Sequence, residues 1–220
     1  MKILLADDHA LFREGMHHVL RQLDGQIDIL DAGSFHEALD LARNNPDLDL
    51  ALLDLKMPGS DGAASVKRFH AHHPDVLIVV ISGADQRDDI VGVMNSGASG
   101  FISKASNSKE MIRALCMVLE GGTYLPPQLL QQAVASLDNG RRDGRNWRTN
   151  KLGLTPRQLE MLQYLDKGLP NKDIAEASGL AEGTVKVHVA ALFQALRVNN
   201  RVEAVQTGRS LGLLADMEHS

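Results

Sequence analysis

Leu50-Ala51-Leu52-Leu53-Asp54 is four apolar residues ending on an acid, and the N-terminus repeats the shape, with Lys2-Ile3-Leu4-Leu5-Ala6 running into Asp7-Asp8. A short, nearly continuous apolar run is the pattern of a strand buried on both faces. Such strands belong to parallel sheets covered by helices, where ligands bind in the crevice beyond the C-terminal strand ends. Three carboxylates converging on one crevice repel one another unless a cation is present. Asp7, Asp8 and Asp54 are therefore a candidate Mg²⁺ site, with one acid left to do chemistry.

Working outward, apolar runs recur at residues 2–6, 27–32, 49–54, 76–82 and 99–103, and amphipathic helical patterns lie near 9–23, 35–44, 61–71, 86–96 and 107–121. Val76-Leu77-Ile78-Val79-Val80-Ile81 is apolar throughout. Five strand–helix repeats with short connections predict an α/β, doubly wound, five-stranded parallel sheet with right-handed crossovers. Gly121-Gly122 closes the last of these helices, Pro126-Pro127 opens another over about 127–137, and residues 138–151 lack apolar periodicity and read as a flexible linker carrying Trp147. From Leu154 the pattern is all-helical. Thr155 caps a first helix, Pro156 takes its first position, and it ends near Gly168. Residues 171–178 make a second helix stopped by Gly179, residues 182–196 a third and 200–211 a fourth, which together describe a helix-turn-helix. The expected division is 1–122, a linker over 123–151, and 152–220.

Charge is uneven along the 220 residues. Residues 1–122 hold 11 Lys+Arg against 18 Asp+Glu, residues 123–150 hold 4 against 2, and residues 151–220 hold 8 against 8. The acidic first part argues against nucleic-acid binding there. No apolar run is long enough to span a membrane, and acids arrive too early for a secretory signal, so a cytoplasmic protein is expected. The single Cys116 excludes an internal disulfide and reads as a small core residue of an apolar helix. His70, His72 and His73 sit at a helix end stopped by Pro74 and read as solvated residues; their spacing does not suit zinc.

An Asp that accepts a phosphoryl group needs a cation to bridge its charge and a positive side chain for the charge that develops. Lys104 follows the fifth strand and reaches the same crevice, and Ser82 ends the fourth with a hydroxyl. Asp7-Asp8-His9, the run Asp54-Leu55-Lys56-Met57-Pro58-Gly59-Ser60-Asp61-Gly62, Ile81-Ser82-Gly83, and Gly97-Ala98-Ser99-Gly100-Phe101-Ile102-Ser103-Lys104 together resemble the receiver domain of two-component response regulators, a flavodoxin-like fold, over residues 1–122. The resemblance implies that Asp54 is the phosphoacceptor. It also implies that Asp7, Asp8, Asp54 and the Lys56 backbone carbonyl hold Mg²⁺, and that Ser82 and Lys104 contact the phosphoryl group. Phe101 would occupy the aromatic switch position.

The C-terminal part resembles the LuxR-type helix-turn-helix over roughly 154–212. The resemblance rests on Leu154-Thr155-Pro156-Arg157-Gln158-Leu159-Glu160, Asn171-Lys172-Asp173-Ile174-Ala175, Thr184-Val185-Lys186-Val187-His188-Val189 and Asn200-Arg201-Val202-Glu203-Ala204. The whole chain is thus similar to NarL/FixJ-type response regulators. By that similarity residues 182–196 form the recognition helix, Lys186 and His188 are base-edge candidates, Thr184 and Lys172 contact backbone phosphates, and Arg201 either touches DNA or braces the last helix. One departure stands out. Ala190-Ala191-Leu192-Phe193-Gln194-Ala195-Leu196 carries no charge, which implies modest affinity per protomer and a shallow salt dependence.

The resemblance implies a phosphorylation-controlled, DNA-binding transcriptional regulator. Its partners would be a sensor histidine kinase, double-stranded DNA, and a second copy of itself when phosphorylated. Its only chemistry would be self-phosphorylation and dephosphorylation at Asp54, not turnover as an enzyme. The alternative, motivated by the uncharged 190–196 segment, is a helical output domain that binds protein rather than DNA.

Overall fold

The computed structural model describes residues 1–23, 26–83, 90–139 and 154–214. Strands β1 (Lys2–Ala6), β2 (Asp28–Ala32), β3 (Leu50–Asp54), β4 (Leu77–Ser82) and β5 (Gly100–Ser103) form one parallel sheet in the order β2-β1-β3-β4-β5. Chain order reverses at β1, so the C-terminal ends of β1 and β3 lie side by side at the topological switch point, where open α/β sheets bind ligands. Ala6 pairs with Leu53, which sets Asp7 beside Asp54.

The period-two alternation along each strand splits its apolar residues between two cores. Ile3, Leu5, Leu50, Leu52, Val79, Ile81 and Ile102 face α1 (Ala10–Leu20) and α5 (Ser108–Leu119), which contribute Met16, Leu20, Leu115 and Val118. Leu4, Ala51, Leu53, Ile78, Val80 and Phe101 face the other way, toward α2 (Phe35–Asn44), α3 (Ala63–His72) and α4 (Ile90–Asn95). All five residues of β3 are buried, as its unbroken apolar run requires. Each fully buried Leu or Ile contributes roughly 1.5–3 kcal/mol by leaving water. Ser34 and Asn107 cap α2 and α5 by accepting from the backbone N–H groups of Glu37 and Glu110.

Helix α6 (Pro127–Asn139) leads toward the C-terminal group, α7 (Pro156–Asp166), α8 (Asn171–Ser178), α9 (Glu182–Leu196) and α10 (Arg201–Ser210). Thr155 and Gln158 complete a capping box at α7 with Pro156 inside it, and Gly179 ends α8 at φ +65°, where a side chain would be strained. Leu154, Leu162, Ile174, Val185, Val189, Leu192 and Phe193 belong to the core of this group.

Two expectations change, and two others go untested. Cys116 is exposed, because α5 turns Met111, Ala114, Leu115 and Val118 to the sheet and carries Cys116 on its outer side. The first half of the helix expected at 86–96, and the segment holding Trp147, fall outside the described residues. The largest difference concerns α9. Its other face, Val187, Ala190 and Ala191, joins the core formed by α2, α3 and α4. The helix expected to read DNA therefore packs on the sheet-containing part of the same molecule.

Candidate functional site

The acid pocket is built from strand ends. Asp7 is 1% exposed and Asp54 2%, while Asp8 stays partly open. Lys104 Nζ, carried just beyond β5, stands 2.7 Å from Asp7 Oδ2 and 2.8 Å from Asp54 Oδ2. Its backbone N–H donates to Ser82 O at 2.7 Å, which ties the ends of β4 and β5 together beside the acids. Burial alone would pull the Lys104 pKa down. Its hydrogen bond to Asp54, with the negative charges of Asp54 and Asp7 close by, outweighs that and holds it above the ordinary lysine value. The ammonium therefore offsets one of the two buried negative charges and eases the repulsion between the carboxylates.

Asp54 Oδ1 accepts from the Lys56 backbone N–H at 3.0 Å, which fixes the carboxylate and turns the chain after β3. Asp7 Oδ1 accepts from the His9 backbone N–H at 2.9 Å, and His9 Nδ1 lies 2.7 Å from Asp8 Oδ1. Asp7 Oδ2 makes no hydrogen bond of good geometry despite the nearby ammonium, so it retains acceptor capacity inside the protein. Ligand atoms of Asp7, Asp8, His9 and Asp54 all lie within 4.8 Å of one another. This oxygen-rich cluster with an unsatisfied buried oxygen fits a metal ion.

Of the residues singled out in sequence, Asp7, Asp8, Asp54 and Lys104 converge on this pocket. Ser82 is fully buried at the end of β4, and Phe101 is turned inward at 2% exposure. Sequence reasoning gave no role to Arg13 and Phe12. The Arg13 guanidinium donates to Asp7 O, and the Phe12 ring lies 5.1 Å from Lys104 Nζ. Both occupy the first turn of the helix after Asp7-Asp8, the one position from which a helical side chain can lean back over the strand end.

The DNA-contact candidates are placed differently. Thr184 is 8% exposed and His188 5%. Lys186 Nζ donates to Ala98 O at 3.2 Å and pairs with Glu182 at 3.5 Å. Gly183 lies on the C-terminal end of α4, where a Cβ would meet Asn95 N at 2.2 Å and Met94 C at 2.3 Å. Only glycine permits this approach. Arg201 donates to Leu169 O, the bracing role weighed for it, and Lys172 stays exposed on α8. In this arrangement Thr184, Lys186 and His188 are covered. The uncharged stretch is accounted for as far as Phe193: Ala190 and Ala191 pack toward α4 and α6, while Leu192 and Phe193 fill the C-terminal core.

Comparison with known proteins agrees with this architecture. Residues 3–116 match the response regulator receiver domain, and residues 152–207 match the bacterial regulatory proteins of the luxR family. The chain is 34% identical to a glycerol metabolism activator of Pseudomonas putida, over 97% of both chains. It is 32% identical to the nitrate/nitrite response regulator protein NarL of Escherichia coli K12, over 92% of each. A LuxR family DNA-binding response regulator from Silicibacter pomeroyi aligns with 58% of this chain and 98% of its own, at 27% identity and a TM-score of 0.52. The chain belongs to the LuxR-family response regulators, in which a phosphorylated receiver domain controls a helix-turn-helix that regulates transcription.

Proposed function

We propose that residues 1–122 are the receiver, with Asp54 as phosphoacceptor, that 123–151 connect, and that 152–220 are the DNA-binding output. In the phosphoryl step one Asp54 carboxylate oxygen bonds to phosphorus. The P–N bond of a kinase phosphohistidine breaks, and its electron pair leaves with the imidazole; an acyl phosphate donor loses a carboxylate instead. Lys104 receives the negative charge that develops on the phosphoryl oxygens, and Ser82 offers its hydroxyl to one of them. Asp7, Asp8, Asp54 and the Lys56 carbonyl would hold Mg²⁺, which when bound offsets the repulsion between Asp54 and the incoming group. Lys104 then gives up Asp7 and turns wholly to Asp54 and its phosphoryl group.

The output follows from the covered face of α9. With Thr184 and His188 buried and Lys186 held on Ala98 O, the molecule is a closed form that cannot seat the recognition helix in a major groove. Ser82 and Phe101 lie on the strands that lead into and out of α4. Phosphorylation at Asp54 repositions them, loosens the α4–α9 contact, and shifts the population toward an open form that dimerises on paired half-sites. The burial of the α9 polar face carries this reading. Burial of Ala190, Ala191, Leu192 and Phe193 likewise explains why the first four residues of the uncharged segment are apolar, which weakens the case for a protein-binding output.

The test is DNA binding by the full chain before and after treatment with acetyl phosphate and Mg²⁺, with Asp54→Ala alongside. Wild type should gain the phosphoryl mass and bind DNA at least about tenfold tighter, a shift of about 1.4 kcal/mol. The variant should do neither. Equal DNA binding in both states of the wild type would defeat the switch, and a retained mass shift in Asp54→Ala would defeat the site.

A further inference from the structure

The closed arrangement is sealed at one end and hollow at the other. Where α9 begins, Gly183 sits on the α4 backbone. Where α9 ends, a cavity of about 420 Å³ separates it from α5 and α6. That volume lies within the roughly 300–1,000 Å³ of small-molecule sites, which favour the junctions between domains. Its apolar wall comes from both sides, with Met117 and Leu130 on one and Phe193 on the other. Its polar groups are Glu110, Arg113, Tyr124 and Arg197. Glu110 already accepts from the Tyr124 hydroxyl at 3.3 Å, which leaves the two guanidiniums as the open charge of the lining.

Arg197 is the unusual member. It caps α9 in the left-handed conformation at φ +57°, and it is the sole described residue other than glycine with positive φ. Glycine or asparagine is the low-cost choice there, and an L side chain costs stability. The Arg197 guanidinium has no protein partner among the described residues. Arg113 is held across the junction by donating to Asn199 Oδ1 at 3.2 Å, so its guanidinium is already oriented. Backbone strain kept at an unpartnered cation on the rim of a half-apolar cavity is the pattern of a binding site.

We propose that this cavity binds a small monocarboxylate with an aromatic or short alkyl body. The carboxylate is held by Arg197 and Arg113, and the body lies between Leu130 and Phe193. Because α5 and α6 supply one wall and α9 the other, the ligand binds the closed form alone. It opposes phosphorylation-driven release, and phosphorylation weakens its binding by the same factor. The proposal rests on the closed form described above.

The probe is phenylacetate, titrated calorimetrically into the unphosphorylated full chain, with phenethyl alcohol and phenethylamine as matched bodies lacking the carboxylate. Small-angle scattering on the same sample reports whether the molecule is closed. Phenylacetate should bind at least about tenfold tighter than either control, the difference expected for a charged hydrogen bond. Phosphorylation should weaken it. Arg197→Gly should lose about tenfold in affinity while raising the melting temperature, two effects that a merely structural arginine would not combine. A compact molecule that binds all three probes alike, or binds phenylacetate unchanged in Arg197→Gly, overturns the site and leaves the closed form standing. Separated domains without binding overturn both.

Discussion

The acid pocket and the recognition helix both bury polar side chains, but in opposite ways. In the pocket the buried groups are charged, and Lys104 holds Asp7 and Asp54 together at 2.7 and 2.8 Å. On α9 the buried groups are Thr184 and His188, with Lys186 parked on a backbone carbonyl. The first region is built to receive something, since an acceptor oxygen of Asp7 is left without a well-directed donor. The second is already covered: Gly183 sits on the α4 backbone, Val187, Ala190 and Ala191 join the core that holds Val93 and Met94, and Lys186 reaches Ala98 O. One stores electrostatic tension that a ligand relieves. The other is closed by packing against a neighbouring helix.

Removing Lys104 attacks the first region. Lys104→Met leaves two carboxylates buried with no counter-charge, a loss of about 3 kcal/mol for a broken buried pair. Urea unfolding should show it, and added Mg²⁺ should restore more stability to this variant than to wild type. If the variant is as stable as wild type without metal, the ammonium is not what holds the acids together.

Gly183→Ala attacks the second region by placing a methyl group on the α4 backbone. Overpacking of this kind costs about 1–3 kcal/mol. That shifts the balance between closed and open forms by roughly 5–150-fold. Hydrogen exchange should speed up in α4 and α9 while the strands keep their protection. Unchanged exchange would mean that the two helices do not meet as described.

The smallest effect lies between the two regions. Burial, reinforced by the Glu110 carboxylate and opposed by Arg113, pushes the Tyr124 hydroxyl up to about 12. A raised folded pKa stabilises the molecule fully below the ordinary tyrosine value of 10.0, and that contribution fades as pH rises toward about 12. Melting temperature measured across that window should fall more steeply in wild type than in Tyr124→Phe. Parallel slopes would place Tyr124 in water.

Most of the fold was legible because local signals and burial agree. The unbroken apolar runs at 50–53 and 77–81 became buried strands. Thr155-Pro156 and Gly179 bounded their helices as read, and strand-end acids converged once the strands were parallel. The acid site was legible because its chemistry is tied to strand ends. The docking of α9 was not, because an apolar residue carries no label for the partner it will meet. One signal was present: Val185, Val187, Val189, Ala190, Ala191, Leu192 and Phe193 leave α9 apolar on every side, and such a helix is buried on every side. Cys116 failed for the converse reason, since composition marks a helix as apolar without marking which of its faces is turned to the sheet.

Val187, Ala190 and Ala191 share a single core with Leu53, Val80 and Phe101. That shared core ties α9 to the cooperative folding of the sheet. While the molecule is closed, heat or denaturant acts on α9 and the sheet as one unit. Once it opens, the C-terminal group must stand on its own small core, and its stability becomes its own. Under the proposed switch, signalling would exchange one larger melting unit for two smaller ones and leave the signal-ready state the more fragile.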